Sequence, residues 1–367
     1  MSERQLARVV VLDDVVPHVN SDNLELAIIG GWQCVVKKGE FQKGSKAIYI
    51  EVDAAVPLDS PTFAFLEGRN NVTLDGKRYA RVKTIKLRKE ISQGLVIPLD
   101  GNPQEDTDMT DRLGIVKYEK PEERARNSIG APKSGSTALG FPKFIPKTDQ
   151  NRVQNITHMY NKAVQDGELF EKTFKLDGSS LTVWIKDGVV GVASRNVGFR
   201  MEDEKIGFFT AVKNFFKTKK WVRVIKADDN QFTQAAEAAG VVGALREFHE
   251  RTGQNIAFQG ELVGPSIQGN FEGVDKNQYF IYDVFDIDAQ EYLLPDERRL
   301  LVAEYGLDHC PIADPETVLL PSVQEAIADA DGPSGLNGKY REGFVYKSTT
   351  RDFSFKVISN SYLLKEE

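Results

Sequence analysis

Short β-branched runs separated by turn residues fill the first hundred residues, and this pattern restricts the fold more than any other feature of the chain. Three of the runs are GWQCVV, KAIYIEV and SQGLVIPL. Several short strands with glycine-rich turns and no helical period are typical of a small closed barrel. We therefore predict an OB-like β-barrel domain over residues 1–100.

The remainder of the chain has a different pattern. Residues 101–140 are polar, charged and interrupted by Pro and Gly, which is typical of a linker. Residues 141–367 mix strand patterns with helical ones, including a helix after an Asp cap in 149–165 and a helix over 231–250. Because the strands do not alternate regularly with helices, we predict an α+β fold with antiparallel sheets rather than a βαβ array.

The composition excludes several classes of protein. No apolar run reaches eighteen residues and the N-terminus lacks a signal-peptide pattern, so we expect no membrane segment and a cytoplasmic protein. Two cysteines and four histidines, all scattered, predict neither a disulfide framework nor a zinc site. The net charge of −7 is unusual for a nucleic-acid binder, but it does not exclude local basic patches.

Two such patches are visible in the sequence. Residues 205–226 carry seven Lys or Arg and no acid, with aromatic residues between them, and we interpret them as an amphipathic helix with its aromatics in the core. Four basic residues of the barrel are further candidates for phosphate contacts: Lys37, Lys38, Lys86 and Arg88.

A lysine motif, KLDG, follows a hydrophobic strand at residues 175–178. Alone it is weak, because Asp-Gly is a common turn pair and lysines are common near turns. Four further motifs follow it in order. They are SRN (194–196), GELVGPSIQGN (260–270), YFIYDVFDI (279–287) and REGFVYKS (341–348), the last leading into FSFKVISN.

Together these motifs resemble the nucleotidyltransferase motifs of ATP-dependent polynucleotide ligases and capping enzymes. The segments FPKFIPKTDQNRVQN and GELVGPSIQGN are similar to RNA ligases in particular. The resemblance covers most of the chain and implies an RNA ligase that joins 3′-OH and 5′-phosphate ends at nicks. It also implies ATP and Mg²⁺ or Mn²⁺ as cofactors, an RNA-containing duplex as partner, and a monomer.

The resemblance implies a role for each motif. Lys175 would form a phosphoramidate with AMP, and Lys356 would contact the α-phosphate. Three carboxylates would hold the metal or its waters: Asp177, Glu261 and Glu342. Because a free lysine has a pKa near 10.4, only about one in 2,500 is neutral at pH 7, so burial, neighbouring cations or a metal must lower that pKa.

Further residues would bind the nucleotide, according to the same resemblance. They are Phe174, Arg195, Phe280, Tyr282, Val345, Lys147 and Arg152. We expect Phe280 to stack on adenine with Val345 as the opposite wall, since strand alternation puts Phe280, Tyr282 and Val284 on one face. Alternatives remain open at each position, namely ordinary core residues in the strand, a solvated arginine, and a salt-bridged helix start.

One position departs from the family pattern. The last motif often contains Lys-x-Lys, whereas Ile358 occupies the second lysine position here, and Lys347 or Lys365 are the candidates to replace it. A DNA ligase or a capping enzyme is an alternative, although both typically carry an OB domain after the last motif. A non-catalytic nucleic-acid-binding protein is a third, and the joint presence of the five catalytic candidates argues against it.

Overall fold

The computed structural model describes residues 5–118, 139–205 and 224–365. Its first part consists of short strands, as predicted. The strands are β1 (Ala7–Val11), β2 (Asp14–Pro17), β3 (Leu24–Ile29), β4 (Trp32–Lys37), β5 (Lys46–Ile50), β6 (Ala54–Pro57), β7 (Asn71–Leu74), β8 (Lys77–Arg81), β9 (Thr84–Leu87), β10 (Glu90–Gln93), β11 (Leu95–Pro98) and β12 (Val116–Lys117), with a 3-10 helix at Pro61–Leu66. They form the sheets β1-β5-β11, β2-β3-β4, β9-β10 and β12-β6-β8-β7.

The first part of the predicted linker packs against this barrel. Strand β12 pairs with β6, with Val116 opposite Ala55. Met109 and Ile115 are buried in the same apolar cluster as the barrel strands. These two apolar residues in a polar segment are enough to anchor it, so residues 101–118 belong structurally with the barrel. Residues 119–138 lie outside the described part of the chain.

The second part combines two sheets with helices. Its strands are β13 (Leu139–Gly140), β14 (Asn151–Arg152), β15 (Leu169–Lys175), β16 (Ser179–Lys186), β17 (Val189–Ser194), β18 (Val197–Arg200), β19 (Glu204–Lys205), β20 (Val224–Ile225), β21 (Ile256–Val263), β22 (Gln278–Asp286), β23 (Glu291–Tyr292), β24 (Ile312–Val318), β25 (Gly343–Ser348) and β26 (Ser354–Ile358). Its helices are α1 (Thr157–Asp166), α2 (Gln231–Ala238), α3 (Val241–Thr252), α4 (Pro295–Glu304), α5 (Val323–Asp329) and α6 (Asn360–Lys365), with 3-10 turns at Val153–Asn155 and Gln268–Asn270.

Apart from β19 and β20, which pair with each other, these strands form a seven-stranded sheet and a five-stranded sheet. Their orders are β13-β18-β17-β16-β21-β22-β23 and β14-β26-β25-β15-β24. Within both sheets the pairs are antiparallel apart from β14 with β26. The prediction of an α+β fold with antiparallel sheets is therefore confirmed.

Two predicted helices differ from those observed. Helix α1 starts at Thr157, and the residues before it form β14 and a 3-10 turn, because pairing with β26 overrides the helical pattern there. The predicted helix over 231–250 is two helices, which Gly240 separates in the left-handed conformation at φ 73°. The predicted helix over 205–226 falls almost entirely outside the described residues.

The KLDG motif connects the two sheets. Strand β15 ends at Lys175 in the five-stranded sheet, and β16 begins at Ser179 in the seven-stranded sheet. A Cβ atom at Gly178 would lie 2.4 Å from the carbonyl oxygen of Leu262 and 2.9 Å from Cγ of Glu261. Gly178 is therefore required for the close approach of β21 rather than for a left-handed turn.

The barrel and the second domain share one apolar core. Trp32 and Tyr49 of the barrel lie in the same buried cluster as Tyr160 and Phe355. A polar contact beside it runs from Nε2 of Gln93 to Oδ1 of Asn360, at 2.6 Å. This shared packing fixes the cavity that both domains border. No helix among the described residues is long and apolar enough to cross a bilayer.

Candidate active site

A cavity of about 270 Å³ lies between the two domains, and Lys175 borders it. The barrel contributes polar residues to its wall, among them Asp53, Arg81 and Lys117. The second domain contributes all five catalytic candidates of the sequence analysis: Lys175, Asp177, Glu261, Glu342 and Lys356. Residues that are separated by up to 181 positions in the sequence (175 to 356) thus meet in one cavity.

Lys175 is held against Glu342 by the register of two strands. The last residue of β15, Lys175, pairs with Gly343, the first residue of β25, and Glu342 immediately precedes it. Nζ of Lys175 donates a hydrogen bond to Oε2 of Glu342 at 2.6 Å. About a quarter of the Lys175 side chain is exposed, against 11% for Glu342. The amine is therefore accessible from the cavity and paired at the same time.

The charge state of Lys175 differs from the expectation. Burial lowers the pKa of this amine, but Glu342 and Glu261 favour its charged form more strongly, so the net pKa is raised. The carboxylates alone thus keep Lys175 protonated, and a cation that neutralised them would lower the pKa of this amine.

The surroundings of Glu261 favour the neutral form of its carboxyl group. Burial and the neighbouring carboxylates of Glu342 and Asp177 raise its pKa to about 8, although Lys175 opposes the shift. Strand β21 holds Glu261 directly opposite Ser180 of β16, beside the KLDG connection. A carboxylate that is this reluctant to ionise is suited to a site where a divalent cation binds, because the cation supplies the missing positive charge.

Glu272 supports the motif, and the sequence analysis missed it. Its buried carboxylate accepts a hydrogen bond from the backbone N–H of Asp177 at 2.9 Å and another from Oγ of Ser334 at 3.0 Å. Burial raises its pKa. The backbone of the KLDG motif is therefore fixed by a residue almost a hundred positions downstream.

The described residues contain no group of three or more His, Cys, Asp or Glu side chains arranged to enclose a metal ion directly. This is compatible with Mg²⁺ or Mn²⁺ chemistry, since Mg²⁺ usually retains several waters and binds through one or two carboxylates plus substrate phosphates. Of the residues present, Glu261 and Glu342 fit that role, because both carboxylates border the cavity and interact electrostatically with Lys175.

Asp149 also borders the cavity, and three cationic side chains surround its carboxylate. Its carboxylate contacts Lys117 of the barrel, Nη2 of Arg195 at 3.3 Å and Nζ of Lys356 at 3.8 Å. Burial would raise the pKa of Asp149, but Lys356, Lys117 and Arg195 together lower it well below its usual range. The prediction that Asp149 caps a helix is wrong, because helix α1 starts eight residues later.

A second interdomain ion cluster lies beside the first. Oδ2 of Asp53 accepts from Nη2 of Arg152 at 2.5 Å, and Oδ1 accepts from Nη2 of Arg81 at 2.8 Å. Burial would raise the pKa of Asp53, but Arg152 and Arg81 lower it below its usual range. Arg152 is thus bound to a barrel carboxylate, and it also borders the cavity.

Comparisons with known proteins decide the family. A model described as an OB-fold domain matches residues 6–99, and a model described as RNA ligase matches residues 169–358. The second match spans more than half of the chain. The chain belongs to the RNA ligase family. A comparison with curated protein sequences gave no match.

Solved structures of an RNA ligase from Naegleria gruberi are similar over the whole chain. A variant with AMP and Mn is 33% identical, with 99% of each chain covered and a TM-score of 0.81. The enzyme with PPi is 33% identical over 98% of each chain, with a TM-score of 0.79. Another variant, with ATP and Mn, is 32% identical over 99% of each chain, with a TM-score of 0.81.

Not every expected nucleotide contact of this RNA ligase family member borders the cavity. Phe174, Arg195, Tyr282, Val345 and Arg152 do, whereas Phe280 and Lys147 are not among its lining residues. Phe280 is 7% exposed and packs in a small apolar cluster on which Tyr282 also packs. Nζ of Lys147 donates to Oδ1 of Asn196 at 2.7 Å.

The strand that carries these aromatics is irregular at Tyr282. Gln259 of β21 pairs with Asp283 and the next residue, Gly260, pairs with Ile281, so Tyr282 is an extra residue in β22. Such a bulge reverses the alternation beyond it. Val284 consequently packs in the large core with Ile281, and the prediction that it shares a face with Phe280 and Tyr282 is wrong.

The candidates to replace the missing lysine of the last motif are bound by other groups, although Lys347 also borders the cavity. Ile358 itself borders the cavity and packs against Tyr362 and Leu363. The ammonium of Lys347 is bound by the carboxylate of Asp283 and the carbonyl of Tyr282, and Nζ of Lys365 lies 3.9 Å from the ring centre of Tyr340. Lys117 is a cation in the same cavity that no sequence motif indicated.

Proposed function

We propose that this RNA ligase family member joins 3′-OH and 5′-phosphate RNA ends at nicks in duplexes, through AMP carried on Lys175. One observation carries the proposal: an accessible amine lies 2.6 Å from Glu342, in a cavity that Glu261 and Lys356 also line. Nucleophile, carboxylates and phosphate-binding cations are the three parts that adenylyl transfer needs. The AMP, ATP and Mn in the Naegleria gruberi structures support the choice of nucleotide and metal.

The first step forms the lysine adenylate. Nζ of Lys175 attacks the α-phosphorus of ATP, an N–P bond forms, the bond to the β-phosphate oxygen breaks, and pyrophosphate leaves. Oε2 of Glu342 is within hydrogen-bond range of the proton that Nζ must lose. A divalent cation at Glu261 and Glu342 would neutralise both carboxylates and polarise the phosphate, which is Lewis-acid chemistry.

The cations around Asp149 bind the phosphates in this proposal. The carboxylate of Asp149 already interacts with three cations, Lys356, Arg195 and Lys117, and its negative charge partly neutralises them. Phosphate oxygens exchange for that carboxylate at little cost, because the cations are already assembled and charged. We propose that Lys117 provides the second phosphate contact that the family places at the position of Ile358.

The adenine is held by the apolar part of the cavity. Tyr282 and Val345 border it, and the hydroxyl of Tyr282 is fixed by Oγ1 of Thr148 at 2.8 Å. We propose that the base lies against these two side chains. Phe280 then supports the wall from behind rather than stacking on the base, since it packs with Tyr282 on the core side.

Two further transfers complete ligation. The 5′-phosphate of the donor strand attacks the lysine adenylate, which breaks the N–P bond, returns the amine and yields an RNA–adenylate. The 3′-OH of the acceptor strand then displaces AMP and forms the phosphodiester. Each transfer requires in-line attack on a phosphorus held by the same cations, so one cavity serves all three steps. The two buried free cysteines are compatible with the reducing cytoplasm, where we propose that the enzyme acts.

Labelling with α-labelled ATP and Mg²⁺ or Mn²⁺ tests the proposal. We expect an acid-labile label on the wild type and on Lys162→Ala, an exposed lysine of α1, and none on Lys175→Ala. Equal labelling of Lys175→Ala would exclude the proposed nucleophile. GTP in place of ATP tests a capping enzyme, and nicked duplexes with RNA or DNA on the 3′-OH side test a DNA ligase. Equal sealing of all-DNA nicks would contradict the RNA preference.

A further inference from the structure

One hairpin turn of the barrel has an unusual sequence. In the described chain, four two-residue loops join paired strands and have positive φ at both residues. Three of them contain glycine: Gly30–Gly31 (β3–β4), Asp75–Gly76 (β7–β8) and Asp187–Gly188 (β16–β17). The fourth, between β9 and β10, is Arg88–Lys89, with φ values of 47° and 80°. This type of turn favours Asn and Gly, because bulky L-residues are strained at positive φ.

The strained turn is held in place by its neighbours. Nδ1 of the buried His18 accepts a hydrogen bond from the backbone N–H of Asn20 at 3.0 Å. The ring proton must then be on Nε2, which donates to the carbonyl oxygen of Leu87 at 3.1 Å, directly before the turn. A strained backbone persists only where its surroundings fix it in this way. The reason for two cationic residues at this position must therefore lie in their side chains.

The hairpin is strongly basic on its exposed surface. Its segment KTIKLRK, residues 83–89, carries four cations and no acid, in a chain whose net charge is −7. Lys86, Arg88 and Lys89 are exposed, and none of the three has an ion-pair partner among the described residues. The acid that follows, Glu90, accepts a hydrogen bond from Gln33 at 3.2 Å. Exposed cations without an ion-pair partner are available to contact phosphate groups.

The base of this hairpin lies beside the active-site cavity. Gln93, the last residue of β10, donates to Asn360 of α6, and α6 contributes Tyr362 and Leu363 to the cavity wall. A four-residue strand spans about 13 Å, so the turn projects by that length from the base. Phosphates of one DNA strand are about 3.4 Å apart along the duplex axis and those of an A-form RNA duplex are somewhat closer, so 13 Å corresponds to roughly four to five nucleotides.

We propose that the β9–β10 hairpin binds the RNA backbone a few nucleotides from the reacting ends, with Arg88 and Lys89 as its phosphate contacts. The proposal deepens the proposed function, on which it rests for the choice of RNA as partner. Contacts to phosphates orient a duplex without reading its sequence, which is what a nick-joining enzyme requires. The turn fixes the positions from which the two side chains leave the backbone.

The variant Arg88→Asn/Lys89→Gly removes the two cationic side chains while it keeps the backbone conformation of the turn. It installs the favoured pair for this turn, so we expect an unchanged or higher melting temperature. Labelling of Lys175 by ATP should be unchanged. Binding to a nicked RNA duplex, measured by fluorescence anisotropy without ATP or metal, should weaken roughly tenfold to a hundredfold at about 0.1 M salt. The slope of log K against log salt should become shallower by about 2.

Two control variants complete the test. Arg88→Lys/Lys89→Arg keeps both charges and should bind RNA like the wild type. Lys162→Gln/Arg246→Gln removes two exposed cations that are paired with Asp166 and Glu202, and it should also bind normally. Wild-type affinity and salt slope in the Asn-Gly variant would overturn the proposal, and so would a lower melting temperature. Absence of ATP labelling in the wild type would instead contradict the proposed function, whereas the binding titration would still decide the role of the hairpin.

Discussion

Replacing Glu342 by Gln should make Lys175 a better nucleophile toward simple reagents while abolishing its reaction with ATP. In the metal-free protein, Glu342 and Glu261 oppose the effect of burial and raise the pKa of Lys175. The substitution removes the nearer negative charge and leaves an amide oxygen that still accepts a hydrogen bond. Burial then has more influence, so the amine loses its proton more easily.

The size of the effect follows from the short contact. Two unit charges 2.6 Å apart interact by roughly 6 kcal/mol at an effective dielectric constant of about 20. Part of this is lost, because Glu261 and Asp177 remain and water enters the cavity. Opposite charges within about 4–6 Å change a pKa by about one to three pH units, which changes the neutral fraction of an amine tenfold to a thousandfold. We expect at least the tenfold increase.

Carbamylation by cyanate measures this neutral fraction. The protein is treated at pH 8 with EDTA and no ATP, and modification of Lys175 relative to the exposed Lys162 is quantified by peptide mass spectrometry. Glu168→Gln, which removes a carboxylate bound to Arg351, is the matched control and should give the wild-type ratio. If Lys175 reacts in Glu342→Gln at the wild-type rate or more slowly, Glu342 is not what keeps the amine charged, and the argument for a neutralising metal fails.

Three further substitutions test other parts of the structure. Asp53→Asn should lower the free energy of unfolding, measured with urea, by about 2–3 kcal/mol, because it leaves Arg152 without its carboxylate. Since the pKa of Asp53 is lowered on folding, its contribution to stability is present above about pH 4 and is lost as the pH falls. The stability of the variant should therefore depend less on pH in the acid range. Glu261→Gln should raise the melting temperature of the metal-free protein at pH 8–9 by a few degrees, because the folded-state pKa of about 8 makes the ionised carboxylate destabilising. The same variant should not be labelled by ATP. An unchanged melting temperature would contradict the destabilising effect of Glu261. Tyr282→Leu should weaken ATP binding by about 1–3 kcal/mol and Phe280→Leu by much less, and the reverse order in ATP titrations would restore Phe280 as the stacking residue.

The five catalytic candidates were predictable from the sequence because each lies in a short local motif. Lys175 ends a strand, Glu261 and Lys356 lie within strands, and Glu342 directly precedes one. The order of motifs and the β-rich pattern around them were sufficient to expect one site. The cavity wall confirms that these residues meet, although the distances between them depend on strand register, which the sequence did not reveal.

The contribution of the barrel was not predictable in the same way. Lys117 contacts Asp149 across 32 residues, and Asp53 contacts Arg152 across 99. Single acids and bases that pair over such separations have no local signal, and a lone Asp before an apolar period is typical of a helix cap. Asp149 was misinterpreted for this reason. The bulge at Tyr282 was invisible for a related reason, since β22 has a continuous strand pattern through it.

The position of Lys175 between two sheets explains why its surroundings come from so many segments. The four residues of KLDG leave one sheet and enter the other, so Lys175 takes Glu342 from its neighbour in the first sheet and Glu261 from the second. Antiparallel pairing places Glu261 within β21 and fixes Gly343, the residue after Glu342, at the start of β25, so strand register determines where both carboxylates lie. Movement of one sheet relative to the other would change the two carboxylate distances unequally. The buried Glu272 accepts a hydrogen bond from the backbone N–H of Asp177 and so ties the connection between the two sheets to the segment that follows β21.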